Sequence, residues 1–276
     1  MNGQQKVLVK WGYNVQSYRK ILLKNFEEDL KKIKENIKKE IAQKFQYVVS
    51  EGIDNLKKLK SDDKFACIQV VGETTILYRI QDSKYPADSL YFSTGNSSRF
   101  NFPSYVPKKE ENKLGVSYLG MTLEVALLEF FGRKKLKSSP TQPRQSVMYI
   151  TKGDLNRWNL LEISVKQKIN LLDLTNYTVL ISLGVDLSYI LGPYIFTQYL
   201  SYLIHEELQD IDGIYYLSKT NSGPNIALYK RAENKVEIIA VGRLTNSYIY
   251  PSVKNILYTN GIKITESEEI PQFLDT

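Results

Sequence analysis

The sequence predicts an α+β protein, with a mixed β-sheet core preceded by an N-terminal α-helical extension. Three observations lead there. From Phe65 onward the chain is punctuated by short runs rich in β-branched and aromatic residues, the composition of strands. Only two segments of that body read as strong helices, one within 115–133 and one over Pro193–Leu208. Strands and helices therefore do not alternate as in a βαβ fold. Residues 17–60, by contrast, space Leu22, Phe26, Leu30, Ile33, Ile37, Ile41, Phe45 and Val48 three or four apart without a proline, the period of one helical face.

Charge divides the chain at the same place. Residues 1–66 carry 15 Lys and Arg against 9 Asp and Glu, which is +6 of the total +7. The basicity belongs to the helical segment, and two domains follow: a basic helical extension over 1–64 and a main body over 65–276. The lysines read as a solvated face with i,i+4 pairs such as Glu35 with Lys39. The competing reading is a surface for nucleic acid or an acidic partner.

Composition excludes several classes. No run of 18 uncharged apolar residues exists, and the N-terminus lacks the apolar core of a secretory signal, so no membrane role is expected. One cysteine, Cys67, permits no internal disulfide and suggests a reducing, cytoplasmic setting. With His205 the only histidine, neither a His/Cys zinc site nor a Cys–His nucleophile pair can be built, and no metal is expected. Chemistry is left to Arg, Glu, Asp, Ser, Tyr and Asn.

Taken in order, the chain breaks at Ser50–Gly52, resumes as a short helix over Asp54–Leu59, and passes a polar linker at Ser61–Lys64. Strands are expected at Cys67–Val71, Thr74–Ile80 and Leu90–Phe92, with a polar loop at Gln81–Ser89. A small-residue loop, Ser93–Asn101, ends on Arg99, and Pro103–Lys113 reads as a polar insertion. Gly115–Met121 opens strand-like and then turns helical, with Thr122 as N-cap, Glu124 in the first turn and Gly132 as the C′ residue. Val125, Leu128, Phe130 and Phe131 give that helix an apolar face, and Glu129 lies in the middle of it. A carboxylate there pairs with a lysine on the helix rim, stays protonated or serves a ligand, because an unpaired buried charge is costly. Arg133–Arg144 reads as a surface loop, followed by strands at Ser146–Ile150, Leu160–Ile163 and Asn170–Leu174. Pro193 suits the first position of the second helix. His205, near that helix's end, reads as a surface or partner-contacting cation. Strands at Gly213–Ser218, Asn225–Lys230 and Val236–Val241 follow, and the tail from Asn255 reads as peripheral.

Arg79, Arg99, Glu129 and Ser218 sit beside strands or at helix ends, where sites are commonly built. Singly, each has a plain structural reading: an edge arginine, a loop-bonding arginine, a rim carboxylate and a turn serine. Together, Leu77-Tyr78-Arg79, Ser98-Arg99-Phe100-Asn101, Tyr118-Leu119 eleven residues before Glu129, and Gly213-Ile214-Tyr215-Tyr216-Leu217-Ser218 resemble the RES domain, a family named for its arginine, glutamate and serine. The resemblance runs from about Thr74 to Lys230. It is extended by Thr122–Glu129, which is similar to the family's Ala-Leu-x-Glu helix. Phe196-Thr197-Gln198 resembles the helix before the serine, and Asn225-Ile226-Ala227-Leu228 the strand after it. The chain departs from the family in having Ser98-Arg99-Phe100 for Gly-Arg-Trp and Leu217-Ser218 for Pro-Ser. The insertion at Pro103–Lys113 and the N-terminal helices lie outside the family pattern.

The resemblance implies an ADP-ribosyltransferase-like fold and a toxin-like enzyme acting on NAD as substrate. Phosphate would be the co-substrate, and the products nicotinamide and ADP-ribose-1″-phosphate. ADP-ribose transfer to a protein or nucleic acid, or plain hydrolysis, would use the same site. In that reading Glu129 holds a ribose hydroxyl and stabilises the oxocarbenium-like cation, and Arg79 and Arg99 clamp pyrophosphate or phosphate. Tyr118 stacks on nicotinamide or pins the ribose, and Ser218 positions ribose or phosphate without acting as a nucleophile. Asn225 and Gln198 would support them. The family implies an antitoxin partner, and the N-terminal helices would brace the site, form a homo-oligomer or dock a partner. A non-enzymatic binding module built on the basic helices is the alternative of another class. It leaves Glu129 unexplained.

Overall fold

The computed structural model describes residues 28, 32, 36, 50–58, 68–95, 97–103, 115–136, 148–192, 194–220 and 223–266. The chain divides into two compact units, Met1–Tyr47 and Val48–Thr276. In the first unit the described residues, Glu28, Lys32 and Asn36, are helical and exposed. The apolar face read from Leu22 to Val48 lies outside the described residues, as do Cys67, Pro193, most of the insertion at Pro103–Lys113 and the segment 137–147.

The second unit carries helix α1 over 50–58. The break expected at Ser50–Gly52 does not occur. Gly52 is helical and lies against Leu183, where a Cβ would sit 2.5 Å from the Leu183 carbonyl oxygen. The glycine thus permits close approach instead of ending the helix. Ile53 and Leu56 are buried, and Lys57 Nζ lies 2.8 Å from Glu207 Oε2.

The remaining elements are strands β1 (Ile68–Val71), β2 (Ile76–Asp82) and β3 (Val116–Gly120), helix α2 (Leu123–Leu136), β4 (Met148–Thr151), α3 (Lys152–Asn156), β5 (Trp158–Val165) and β6 (Ile169–Asp173). Helices α4 (Tyr177–Ser182), α5 (Leu187–Leu191) and α6 (Tyr194–Glu207) follow, then β7 (Gly213–Leu217), β8 (Pro224–Tyr229), a 3-10 turn (Lys230–Lys235), β9 (Val236–Arg243), α7 (Tyr250–Thr259) and β10 (Ile262–Thr265). Eight strands form one mixed sheet in the order β1-β6-β7-β8-β3-β2-β5-β9. All its neighbours are antiparallel except β6 and β7. The architecture is the α+β class that the sequence predicts.

Two apolar clusters hold it. Leu77, Leu119, Leu161, Ile163, Leu171, Ile226 and Leu228 make one, and α2, through Leu127, Leu128 and Phe131, builds the other with Leu155, Val253 and Leu257. Several expectations are corrected. Gln81 and Asp82 belong to β2, while Leu90 and Phe92 form no strand but are buried as apolar plugs. Gly132 lies inside α2 and not beyond its end. The tail from Asn255 is not peripheral: α7 buries Val253 and Leu257 in the α2 cluster, and β10 pairs in parallel with β4. Helices α3, α4 and α5 are too short to show a 3.6-residue period in the sequence. No helix among the described residues is long and apolar enough to cross a membrane.

Candidate active site

The strand-to-helix turn after β3 sets the position of Glu129. At Gly120 a Cβ would lie 2.6 Å from the Ala126 amide nitrogen and 2.9 Å from the Thr122 carbonyl oxygen, so only glycine lets the strand pass straight into the helix. Thr122 Oγ1 then accepts from the Val125 amide at 3.2 Å, the N-cap bond expected from the sequence. One turn further on, Glu129 is 8% exposed. It is therefore buried and does not lie on the helix rim. Ser218, at the end of β7, donates its hydroxyl to Glu129 Oε2 at 2.5 Å. Ser218 is itself fixed by its amide on the Gly223 carbonyl at 2.8 Å.

Arg79 comes from β2, between β3 and β5 in the sheet. Its Nη1 donates to Ser117 Oγ at 2.5 Å and to the Tyr118 carbonyl at 3.4 Å. Its Nε is fully buried with no hydrogen-bond partner among the described residues. Although the residue is only half-buried, enclosure of the guanidinium lowers its pKa to about 10, chiefly by desolvation, so the group remains a cation at neutral pH.

The Tyr118 hydroxyl donates to Asn101 Oδ1 and accepts from the Phe100 amide, both at 2.9 Å. This pins the loop that carries Arg99. Helix α6 holds the same loop from the other side: Thr197 Oγ1 donates to the Arg99 carbonyl at 2.8 Å, Gln198 Nε2 to Ser98 at 2.9 Å, and Ser201 Oγ to Phe100 at 2.7 Å. Arg99 is 2% exposed, with its guanidinium 5.7–6.0 Å from the ring centroids of Phe100, Tyr194 and Tyr216. Cation–π contact of this kind suits a planar guanidinium.

A cavity of about 330 Å³ lies between these groups, lined among others by Tyr78, Arg79, Ser98, Tyr118, Glu129, Phe130 and Asn225. Asn225 is 1% exposed, and its Nδ2 has no partner among the described residues. A buried amide donor without a partner is costly unless a ligand completes it. Of the sequence-predicted set, Arg79, Tyr118, Glu129 and Asn225 share the cavity wall. Ser218 acts on the cavity through Glu129, and Arg99 and Gln198 lie behind it, with Ser98 reaching the wall in their place.

His205 departs from its predicted surface position. It is 8% exposed, packed edge-on against Phe102 and Tyr229, and burial pulls its pKa below the usual imidazole value. Ser117 and Thr220 escaped the sequence reading, and Asn101 entered it only within the Ser98-Arg99-Phe100-Asn101 motif. For Thr197, Gln198 and Ser201 a signal existed, since polar residues at i, i+1 and i+4 share one helical face.

The RES domain family model matches residues 76–247, a span that contains Arg79, Arg99, Tyr118, Glu129, Ser218 and Asn225. Comparison with curated proteins finds no match. Among solved structures, a chain of the crystal structure of the M. tuberculosis MbcT-MbcA toxin-antitoxin complex is similar, with 13% identity and a TM-score of 0.51 over 74% of this chain and 97% of that one. At that identity the likeness speaks for the fold.

Proposed function

Because the chain belongs to the RES domain family, we propose that it is a toxin-like enzyme that consumes NAD by breaking the nicotinamide–ribose bond. Phosphorolysis is the reaction proposed, with phosphate as co-substrate. The observation that carries this reading is the buried Glu129 carboxylate, held by Ser218 and sharing one cavity with the Arg79 guanidinium. Loss of nicotinamide leaves an oxocarbenium-like ribose, and a fixed carboxylate in a site of low dielectric stabilises that cation. The leaving pyridinium takes the bonding pair and departs neutral, so no acid is needed to protonate it. A phosphate oxygen then bonds to the ribose C1″, giving ADP-ribose-1″-phosphate.

Arg79 supplies the cation that phosphate or pyrophosphate requires, with a planar fork that lysine lacks. Asn225 Nδ2 offers a donor to a ribose hydroxyl or phosphate oxygen. Tyr118 contributes its ring to the wall, because its hydroxyl is engaged by the loop. Arg99 acts as a scaffold cation that shapes the loop behind Ser98. The cavity lies at the small end of the range of about 300–1,000 Å³ for ligand sites, which suits the nicotinamide riboside end of the dinucleotide.

A similar fold occurs in a toxin-antitoxin complex, which supports an inhibitory protein partner for this chain as well. Incubation with NAD, with and without phosphate, and NMR of the products tests the proposal. Phosphate-dependent release of nicotinamide with a phosphorylated ADP-ribose is expected. Release without phosphate means hydrolysis, and label on an added macromolecule means transfer. Wild-type protein that leaves NAD intact, also with residues 1–47 removed so that α1 is kept, refutes the enzymatic reading.

A further inference from the structure

A serine hydroxyl has one hydrogen to give and two lone pairs to receive with. The Ser218 hydrogen is committed to Glu129 Oε2 at 2.5 Å, since a carboxylate only accepts. Thr220 meets Ser218 Oγ twice, through its amide at 3.1 Å and its hydroxyl at 2.6 Å. With the Ser218 hydrogen spent on Glu129, the Thr220 hydroxyl must be the donor in that contact. The chain of bonds therefore runs one way, from Thr220 to Ser218 to Glu129.

The threonine methyl is anchored as well. Gly132 lies three residues beyond Glu129 on α2, and a Cβ there would come within 3.2 Å of both Thr220 Cβ and Thr220 Cγ2. The glycine leaves a notch for the methyl, and the hydroxyl, fixed by that contact, faces Ser218.

We infer that Thr220 is a positioning residue: it locks the Ser218 proton onto Glu129, keeping that carboxylate ionised and oriented towards the reacting ribose. The inference rests on the reading of Glu129 as the group that stabilises the ribose cation. It also fixes what Ser218 does. With one donor and two acceptor positions filled, the serine oxygen holds the carboxylate and does not bind substrate directly.

Among the described residues, other ionisable groups line the cavity that Glu129 faces. Arg79 and Tyr78 from β2 and Tyr118 from β3 line the same cavity, and β8 contributes the neutral Asn225. Lys219, between Ser218 and Thr220, turns its Nζ to the Leu191 carbonyl. Helix α7 is followed by Asn260, whose Nδ2 meets Glu124 of the same helix α2 at 3.1 Å.

The test uses the full chain with Thr220→Val, which keeps the shape and removes the hydroxyl, and Thr220→Ser, which keeps the hydroxyl. Two readouts are taken: the pH profile of nicotinamide release from NAD, and the titration of the Glu129 carboxyl by ¹³C NMR, assigned by its loss in Glu129→Gln. Removing a donor network from an ionised carboxylate raises its pKa. Thr220→Val is expected to lower kcat about fivefold at near-constant KM, the worth of one neutral hydrogen bond. The acid limb and the NMR midpoint should move up together. Thr220→Ser should recover most of the rate and both pH values. A Thr220→Val protein with the wild-type limb and midpoint overturns the inference, and so does a Thr220→Ser protein as impaired as the valine variant. Thr220→Ala is a second hydroxyl-free variant that must behave as the valine one does. If wild-type protein releases no nicotinamide, the enzymatic reading fails by itself, and the NMR midpoints alone then decide the role of Thr220.

Discussion

Replacing Arg79 with lysine keeps a cation at neutral pH and changes how long it survives as pH rises. Burial already brings the arginine down from its ordinary value to about 10. The same enclosure acting on lysine's lower ordinary value (~10.4) brings loss of its charge to roughly pH 8. The sign is fixed by desolvation, which disfavours the charged form of a base and can only lower its pKa. At pH 9 roughly one lysine in ten would remain charged, whereas wild-type Arg79 stays mostly charged. Nicotinamide release by Arg79→Lys is therefore expected to fall about tenfold in kcat/KM between pH 7 and pH 9, where the wild-type profile is nearly flat. A drop already present at pH 7 is expected on top of this, because the ammonium cannot reproduce the planar fork. The assay is a pH series with NAD at fixed ionic strength. An Arg79→Lys profile as flat as wild type to pH 9 would refute the claim that the cation at this position is enclosed and needed.

Other consequences concern the carboxylate, the histidine and the C-terminal helix. Ser218→Ala removes a hydrogen bond to a charged group, worth about 1.5–3 kcal/mol, and should lower kcat/KM by roughly 10- to 100-fold while shifting the acid limb to higher pH. Turnover near wild type would mean the serine is not engaged with Glu129 during the reaction. His205→Phe is expected to flatten the loss of stability below about pH 6.5. The buried imidazole binds its proton more readily in the unfolded chain, so wild-type stability falls as pH drops through that range. Urea midpoints at pH 5 and pH 7.5 measure this. Leu257→Ala, at a fully buried position of α7, should cost about 2–5 kcal/mol, seen as a lower thermal midpoint.

Much of the sheet was legible because its strands are short, apolar and bounded by polar turns. Glu129 was legible for a physical reason too, since a carboxylate inside an apolar helical run needs an explanation. What stayed hidden depends on contacts distant in sequence. Gly132 reads as a helix stop, but its notch is occupied by Thr220 from another strand end. His205 has the position of a C-terminal helix cation, yet Phe102 and Tyr229 enclose it. The polar face of α6 looks merely mixed, because the carbonyls it binds lie about 100 residues earlier in the chain. Arg99 reads as a phosphate clamp alongside Arg79, and a sequence cannot tell that one arginine meets the cavity while the other is packed among rings. In α7, only Val253 and Leu257 are buried, too few to announce an amphipathic helix.

The central claim is that the Glu129 carboxylate drives cleavage of the nicotinamide–ribose bond. The most direct measurement compares nicotinamide release from NAD by wild-type protein and by Glu129→Gln, which keeps the shape and hydrogen-bonding reach but not the charge. The account predicts steady release by the wild type and a loss of at least about 100-fold in the glutamine variant, as expected when a group that stabilises transition-state charge is neutralised. Both proteins should melt at similar temperatures. Equal release by the two folded proteins would contradict the claim and place the chemistry elsewhere.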